Sequence, residues 1–91
     1  MTKETFLQLD PETVRIIDIR EDSEVANISS PQGAVHIPMQ ILAQQIQAGN
    51  FPNDKPIITI CYSGGRCHMI NQFLQQHGYI TDYLEGGVAG L

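Results

Sequence analysis

Apolar positions along the chain fall into four short β-like clusters separated by stretches with helical spacing. Val14-Arg15-Ile16-Ile17-Asp18-Ile19 is rich in β-branched residues and almost continuously apolar. That is the pattern of a strand covered on both faces, as in a parallel sheet. Ala34-Val35-His36-Ile37 predicts a second strand, Ile57-Ile58-Thr59-Ile60 a third and central one, and Tyr79 to Leu84 a fourth. Between the second and third, Met39, Leu42, Ala43 and Ile46 recur at helical spacing. Pro38 suits the first helical position there, and Gly49-Asn50 ends the helix. After the third strand, Met69, Ile70, Phe73 and Leu74 mark one face of a helix that Gly78 stops. Shorter helical patterns run from Lys3 to Leu9, broken by Asp10-Pro11-Glu12, and from Glu21 to Ala26. Ser29 to Gly33 and Phe51 to Pro56 are loops by composition. Strands alternating with helices predict an α/β domain with a mostly parallel sheet. Its functional loops are expected at the carboxyl ends of the strands. Cys61 falls at one such end, Asp18 and Arg20 at another, and Glu85-Gly86-Gly87 at a third.

Length changes the picture by excluding a second domain: 91 residues support one core, so residues 1–91 are read as a single domain. Charge excludes more. With a net charge of -5 and no Lys/Arg cluster, phosphate-neutralising contacts to nucleic acid are not expected. The same balance disfavours anionic membrane surfaces, and no apolar run has the length of a membrane span. The start, Met1-Thr2-Lys3-Glu4, lacks the apolar core of a secretory signal, and a cytoplasmic location is expected. Cys61 and Cys67 do not make a disulfide framework, and with His68 they do not have zinc-site spacing. No metal is expected.

The candidate chemistry sits in Cys61-Tyr62-Ser63-Gly64-Gly65-Arg66-Cys67. A thiol ends a strand, a glycine-bearing loop follows, and a helix begins at once. Unpaired amides and the helix dipole both favour an anion at such a place, so it suits a reactive thiolate. Gly64 and Gly65 let the chain curl, and amides from Tyr62 to Cys67 can converge on the sulfur.

These residues, with three other segments, resemble the single-domain rhodaneses, or sulfurtransferases. Ile16-Ile17-Asp18-Ile19-Arg20-Glu21 is similar to that family's first strand with its Asp-x-Arg signature. Gly33-Ala34-Val35-His36-Ile37-Pro38 is similar to the segment after its first long loop, Cys61 to Arg66 to its active-site loop, and Leu84-Glu85-Gly86-Gly87 to its C-terminal glycine turn. The four occur in the family's order and spacing. The resemblance implies a rhodanese-like domain with a sheet of four to five strands flanked by helices. The final helix is expected to be truncated, because the chain stops four residues after Gly87. It implies covalent catalysis through a Cys61 persulfide, with no cofactor. A small donor such as thiosulfate gives its sulfane sulfur, and cyanide, a thiol or a partner protein takes it. The chain also departs from the family pattern, with Ser-Ser-Pro-Gln before the Gly-Ala pair and a cysteine at position 67, where Ser or Thr is usual.

Each site residue has a bland alternative. Cys61 as nucleophile stands against a buried core thiol. Arg66, whose planar fork suits the sulfonate end of thiosulfate, stands against a surface arginine paired with a carboxylate. Ser63 is a candidate donor to the bound sulfur. Cys67 is read as a small packing residue of the helix, with resolution of a Cys61 persulfide or a disulfide to Cys61 as the alternative. Asp18 and Arg20 are read as a charge pair holding the sheet rim, with Arg20 shaping the field at the site. Gly86 and Gly87 are expected to turn close to it. His36 is read as a strand residue with one nitrogen satisfied, and His68 and Glu85 as solvent-facing.

Two rival classes remain at this point. Cysteine phosphatases and arsenate reductases of similar fold have five residues between Cys and Arg, whereas this loop has four, Tyr62 to Gly65, a smaller cradle that suits sulfur. A non-enzymatic sulfur-carrier or regulatory rhodanese-like module is the second, although inactive modules commonly lack the cysteine. The short C-terminus leaves a monomer or a weak homodimer as the expectation.

Overall fold

A computed structural model describes all of residues 1–91. Its four strands, β1 (Arg15–Asp18), β2 (Ala34–His36), β3 (Ile57–Ile60) and β4 (Thr81–Tyr83), form one sheet in the order β2-β1-β3-β4. Every neighbouring pair is parallel, with Ile17 opposite Val35 on one side and Thr59 on the other. The helices are α1 (Lys3–Leu7), α2 (Asp22–Asn27), α3 (Met39–Gln47) and α4 (Gly65–Gln76), and a 3₁₀ turn spans Val88–Gly90. No helix is long and apolar enough to cross a membrane.

Successive side chains of a strand point to opposite faces, so the continuous apolar runs build two cores. Ile17, Ile19, Ile57 and Cys61 face Leu42 and Ile46 of α3 and Cys67, Ile70 and Leu74 of α4. Ile16, Ile58 and Ile60 face Phe6 of α1, Leu84 and Val88. Thr59, the one polar residue of β3, is buried, and its hydroxyl donates to Asn71 of α4 at 2.9 Å.

The strand order creates the site. From β1 the chain moves outward to β2, then crosses back to place β3 on the other side of β1. The connections leaving β1 and β3 therefore diverge, and a crevice opens at their carboxyl ends. Cys61 and the Asp18–Arg20 segment border it.

Element ends differ from the sequence pattern where a side chain has another task. The fourth strand begins at Thr81 because Tyr79 turns into the α3/α4 core and donates its hydroxyl to the Phe51 carbonyl at 2.6 Å. The first helix stops at Leu7, and Leu9 packs against the other core.

The C-terminal turn is stitched to the cysteine loop. The Val88 amide donates to the Cys61 carbonyl and the Ala89 amide to the Tyr62 carbonyl, each at 3.0 Å. Gly87 makes that approach possible: its φ is 59° and ψ -161°, and a Cβ there would collide with both carbonyl oxygens. Gly87→Ala is therefore expected to destabilise the domain by about 1–3 kcal/mol, the cost of a backbone region open only to glycine. Gly90→Ala, which meets nothing within 4 Å, is the control. Thermal unfolding of the two variants checks this: equal melting temperatures would refute the role given to Gly87.

Candidate active site

Cys61 directly follows β3 and is almost entirely out of solvent (1% exposed). The chain then bends through Tyr62, Ser63 and Gly64, and α4 begins at Gly65. Gly64 has φ 107°, which a side chain would resist, and this curl aims its N–H at the Cys61 Sγ at 2.9 Å. Cys67, in the first turn of α4, shares the buried cluster with Cys61, and its thiol, with the amides of Cys67 and Ser63, favours the charged form of the same sulfur.

These donors decide the protonation state. The Cys67 thiol contributes most, burial opposes, and the amides of Cys67, Gly64 and Ser63 add to the stabilisation, so the Cys61 pKa falls to about 5. Its partner moves the other way. Hydrogen bonding to Cys61 and burial push the Cys67 thiol far up, so the pair holds one proton and that proton sits on Cys67.

Two arginines border the crevice, and both are paired. Arg20 forks onto Asp18, with Nε donating to Oδ1 at 3.0 Å and Nη2 to Oδ2 at 2.7 Å, and both side chains are buried. Ser30 donates to Asp18 Oδ2 at 2.8 Å, and Arg20 Nη2 also donates to the Ile28 carbonyl at 2.8 Å. Burial works against the Asp18 charge, but the bonds from Arg20 and Ser30 outweigh it and hold the carboxyl below its usual range. The pair ties the end of β1 to the loop after α2. Arg66 forks onto Glu24 of α2, Nη1 to Oε1 at 2.6 Å and Nη2 to Oε2 at 2.8 Å, with both side chains about one-third exposed. The Arg66 contacts pull Glu24 down to about 2. Arg20, Glu24, Asn27, Ile28 and the half-exposed Tyr62 line a cavity of about 260 Å³ at this edge.

The structure thus sets the Gly64 amide on the Cys61 sulfur, with Ser63 in the same curl, Cys67 in the same buried cluster and Gly87 directly behind the loop. Tyr62 and Arg66 lie on the Arg20–Glu24 side. Gly65 opens α4, with empty space where a Cβ would lie, and Gly86 takes a positive φ of 79° ahead of Gly87. The Ser63 side chain is exposed. His36 Nε2 lies 2.7 Å from the Arg20 carbonyl, and His68 and Glu85 face solvent. Glu24 and Ser30 escaped sequence reasoning. Their signal was faint: an acid and a hydroxyl in the connection after an Asp-x-Arg rim.

A doubly wound parallel sheet with an ionised thiol at its switch point, under converging amides at a helix mouth, defines a class of cysteine domains that handle anionic sulfur or oxyanions. The family profile of the rhodanese-like domain matches residues 3–91, and the chain belongs to that family. It is 38% identical over 77 residues to YtwF of Bacillus subtilis (strain 168), described as a candidate sulfurtransferase, covering 85% of this chain and 72% of that protein. It is 32% identical over 74 residues to a tRNA sulfurtransferase of Desulfurococcus amylolyticus, covering 81% of this chain but only 14% of that protein. Among solved structures, SSP1007 of Staphylococcus saprophyticus superposes with a TM-score of 0.80 at 32% identity, over 99% of this chain and 89% of that one. These relatives support a role in sulfur transfer in general.

The thiolate absorbance of the protein is expected to titrate near pH 5, rather than near the ordinary thiol value of about 8.5. It is present above that midpoint and lost as pH falls through it. Cys61→Ser should abolish the transition, and Cys67→Ala should move it upward by removing a donor. An alkaline midpoint in the native chain would contradict the geometry described.

Proposed function

We propose that this protein is a sulfurtransferase that moves a sulfane sulfur from thiosulfate or a persulfide donor to a thiophilic acceptor through a persulfide on Cys61. The observation that carries the proposal is the Gly64 N–H on the Cys61 sulfur at 2.9 Å, at the mouth of α4. In the first half-reaction the Cys61 thiolate attacks the outer sulfur of thiosulfate. A new S–S bond forms, the sulfur–sulfur bond of the donor breaks, and sulfite leaves with its electron pair. Charge is conserved, because one thiolate and one dianion become a persulfide anion and sulfite. In the second half-reaction cyanide, a thiolate or a partner's thiol takes the outer sulfur, and Cys61 leaves as thiolate. Both steps pass negative charge between sulfur atoms, so fixed N–H donors supply the stabilisation that the reaction calls for.

Arg66 takes the sulfonate of thiosulfate in this scheme, but it does so in competition with Glu24. A carboxylate about one-third exposed and bonded through both oxygens must first be displaced. Thiosulfate is consequently a weak donor for the resting site, and a donor that needs no guanidinium is less affected.

Mass spectrometry after thiosulfate treatment of Cys67→Ser is expected to show about 32 Da added on the peptide holding Cys61, and no addition when Cys61→Ser is combined with it. Thiosulfate:cyanide turnover should occur in the native chain and vanish in Cys61→Ser. Turnover that survives Cys61→Ser would refute the proposal. Glu24→Gln keeps the oxygen that accepts the Glu21 amide and removes the competing charge. It is expected to lower the KM for thiosulfate about two- to fivefold, the worth of an exposed ion pair, while Arg66→Ala raises it. An unchanged KM in both would remove Arg66 from the donor site.

A further inference from the structure

Two sulfurs share the floor of the loop. Cys61 and Cys67 are both free thiols, 1% and 0% exposed, in one apolar cluster with Ile70 and Leu74. Cys67 is the neighbour that acts most strongly on the Cys61 sulfur, through its side chain and its amide. The buried hydroxyl of Thr59, which also acts on Cys67, donates to Asn71. The transfer scheme uses Cys67 only as a hydrogen-bond donor, a task that a hydroxyl performs better than a thiol. What a thiol adds at this position is the capacity to form a bond with sulfur.

We propose that Cys67 is the resolving thiol of the sulfur-loaded site: it attacks the inner sulfur of the Cys61 persulfide, closes a Cys61–Cys67 disulfide and expels the outer sulfur as hydrosulfide. The inference rests on the Cys61 persulfide of the preceding section. The step balances without an outside oxidant. The Cys61–Cys67 bond forms as the bond between the inner and outer sulfurs breaks. The two cysteine sulfurs are oxidised, the outer sulfane sulfur is reduced, and the departing sulfur takes both the electron pair and the Cys67 proton. An external dithiol then reopens the bridge and is oxidised in turn. A complete cycle reduces a sulfane sulfur to sulfide at the expense of a dithiol.

Charge explains why the step waits for loading. Beside the Cys61 thiolate, a second thiolate is strongly disfavoured, and Cys67 keeps its proton. Loading moves the negative charge to the outer sulfur and leaves the inner one neutral and open to attack. Burial agrees with this: Cys67 is fully buried, whereas Tyr62 and Ser63, which follow Cys61 in the loop, are exposed. The chain between the two sulfurs contains Gly64 and Gly65, and the Cβ position of Gly65 meets nothing within 4 Å.

The test loads reduced, desalted protein with excess thiosulfate or, separately, inorganic polysulfide, removes the donor, and records intact mass and peptide maps without reductant. The native chain is expected to end about 2 Da lighter, with residues 61 and 67 joined, and to release close to one sulfide per chain in the thiosulfate arm. Cys67→Ser and Cys67→Ala should instead keep the added sulfur, about 32 Da, and release none. If the native chain keeps its added sulfur as stably as the two variants, Cys67 does not resolve the site, and the transfer proposal stands without it. If no chain changes mass with either donor, the transfer proposal fails and takes this inference with it.

Discussion

A sulfur anion withdrawn from water must be compensated by donors held in place, and most of the polypeptide from β3 to the C-terminus is arranged by that requirement. Taking Cys61 out of solvent raises the cost of its charge. The compensation comes from the Cys67 thiol and from amides that can converge only because Gly64 adopts a left-handed conformation. The Gly64 amide lies at the N-cap of α4 and the Cys67 amide in its first turn, where unpaired N–H groups and the helix dipole favour the same charge. The loop keeps its curvature because the 3₁₀ turn is bonded to the carbonyls of Cys61 and Tyr62 through an approach open only to glycine. A residue 26 positions after the cysteine thus helps to set its ionisation.

The two arginines at the crevice show how position separates similar charge pairs. Asp18–Arg20 is buried, forked and shared with Ser30 and the Ile28 carbonyl, so it is a fixed joint between β1 and the loop after α2. Breaking it would strand a buried charge, a far larger cost than the net worth of the intact pair. Glu24–Arg66 is about one-third exposed and partly screened by solvent, so it can exchange partners. Both arginines at the crevice are thus engaged by carboxylates, Arg20 by a buried one and Arg66 by a partly exposed one.

The pairing of sulfurs extends the same logic. A thiol where a hydroxyl would donate more strongly gives up some hydrogen-bond strength and gains redox chemistry. In the resting site the shared proton keeps Cys67 inert and Cys61 ionised. A change of charge on one sulfur is therefore felt directly by the other, and the sequence interval of six residues becomes a chemical contact.

Much of this was legible in the residues. β-Branched runs marked β1 and β3 within a residue or two of their observed ends, because strands buried on both faces carry apolar residues at successive rather than alternate positions. Leu42 and Ile46, and Ile70 and Leu74, marked the buried faces of α3 and α4 because a 3.6-residue period is a local property. Cys61 at the end of an apolar run and before a glycine curl was equally local. Other features were not legible. Glu24 meets Arg66 across 42 positions, Val88 meets Cys61 across 27, and Tyr79 leaves the strand pattern to pack beneath α3 and α4. The sequence by itself determined the elements, the family and the identity of the thiol, since these follow from patterns a few residues long. Only the tertiary structure decided the order of the strands, the partner of each arginine and the burial of the two cysteines in one cluster, because such contacts depend on how distant segments pack and leave no trace in the spacing of either one.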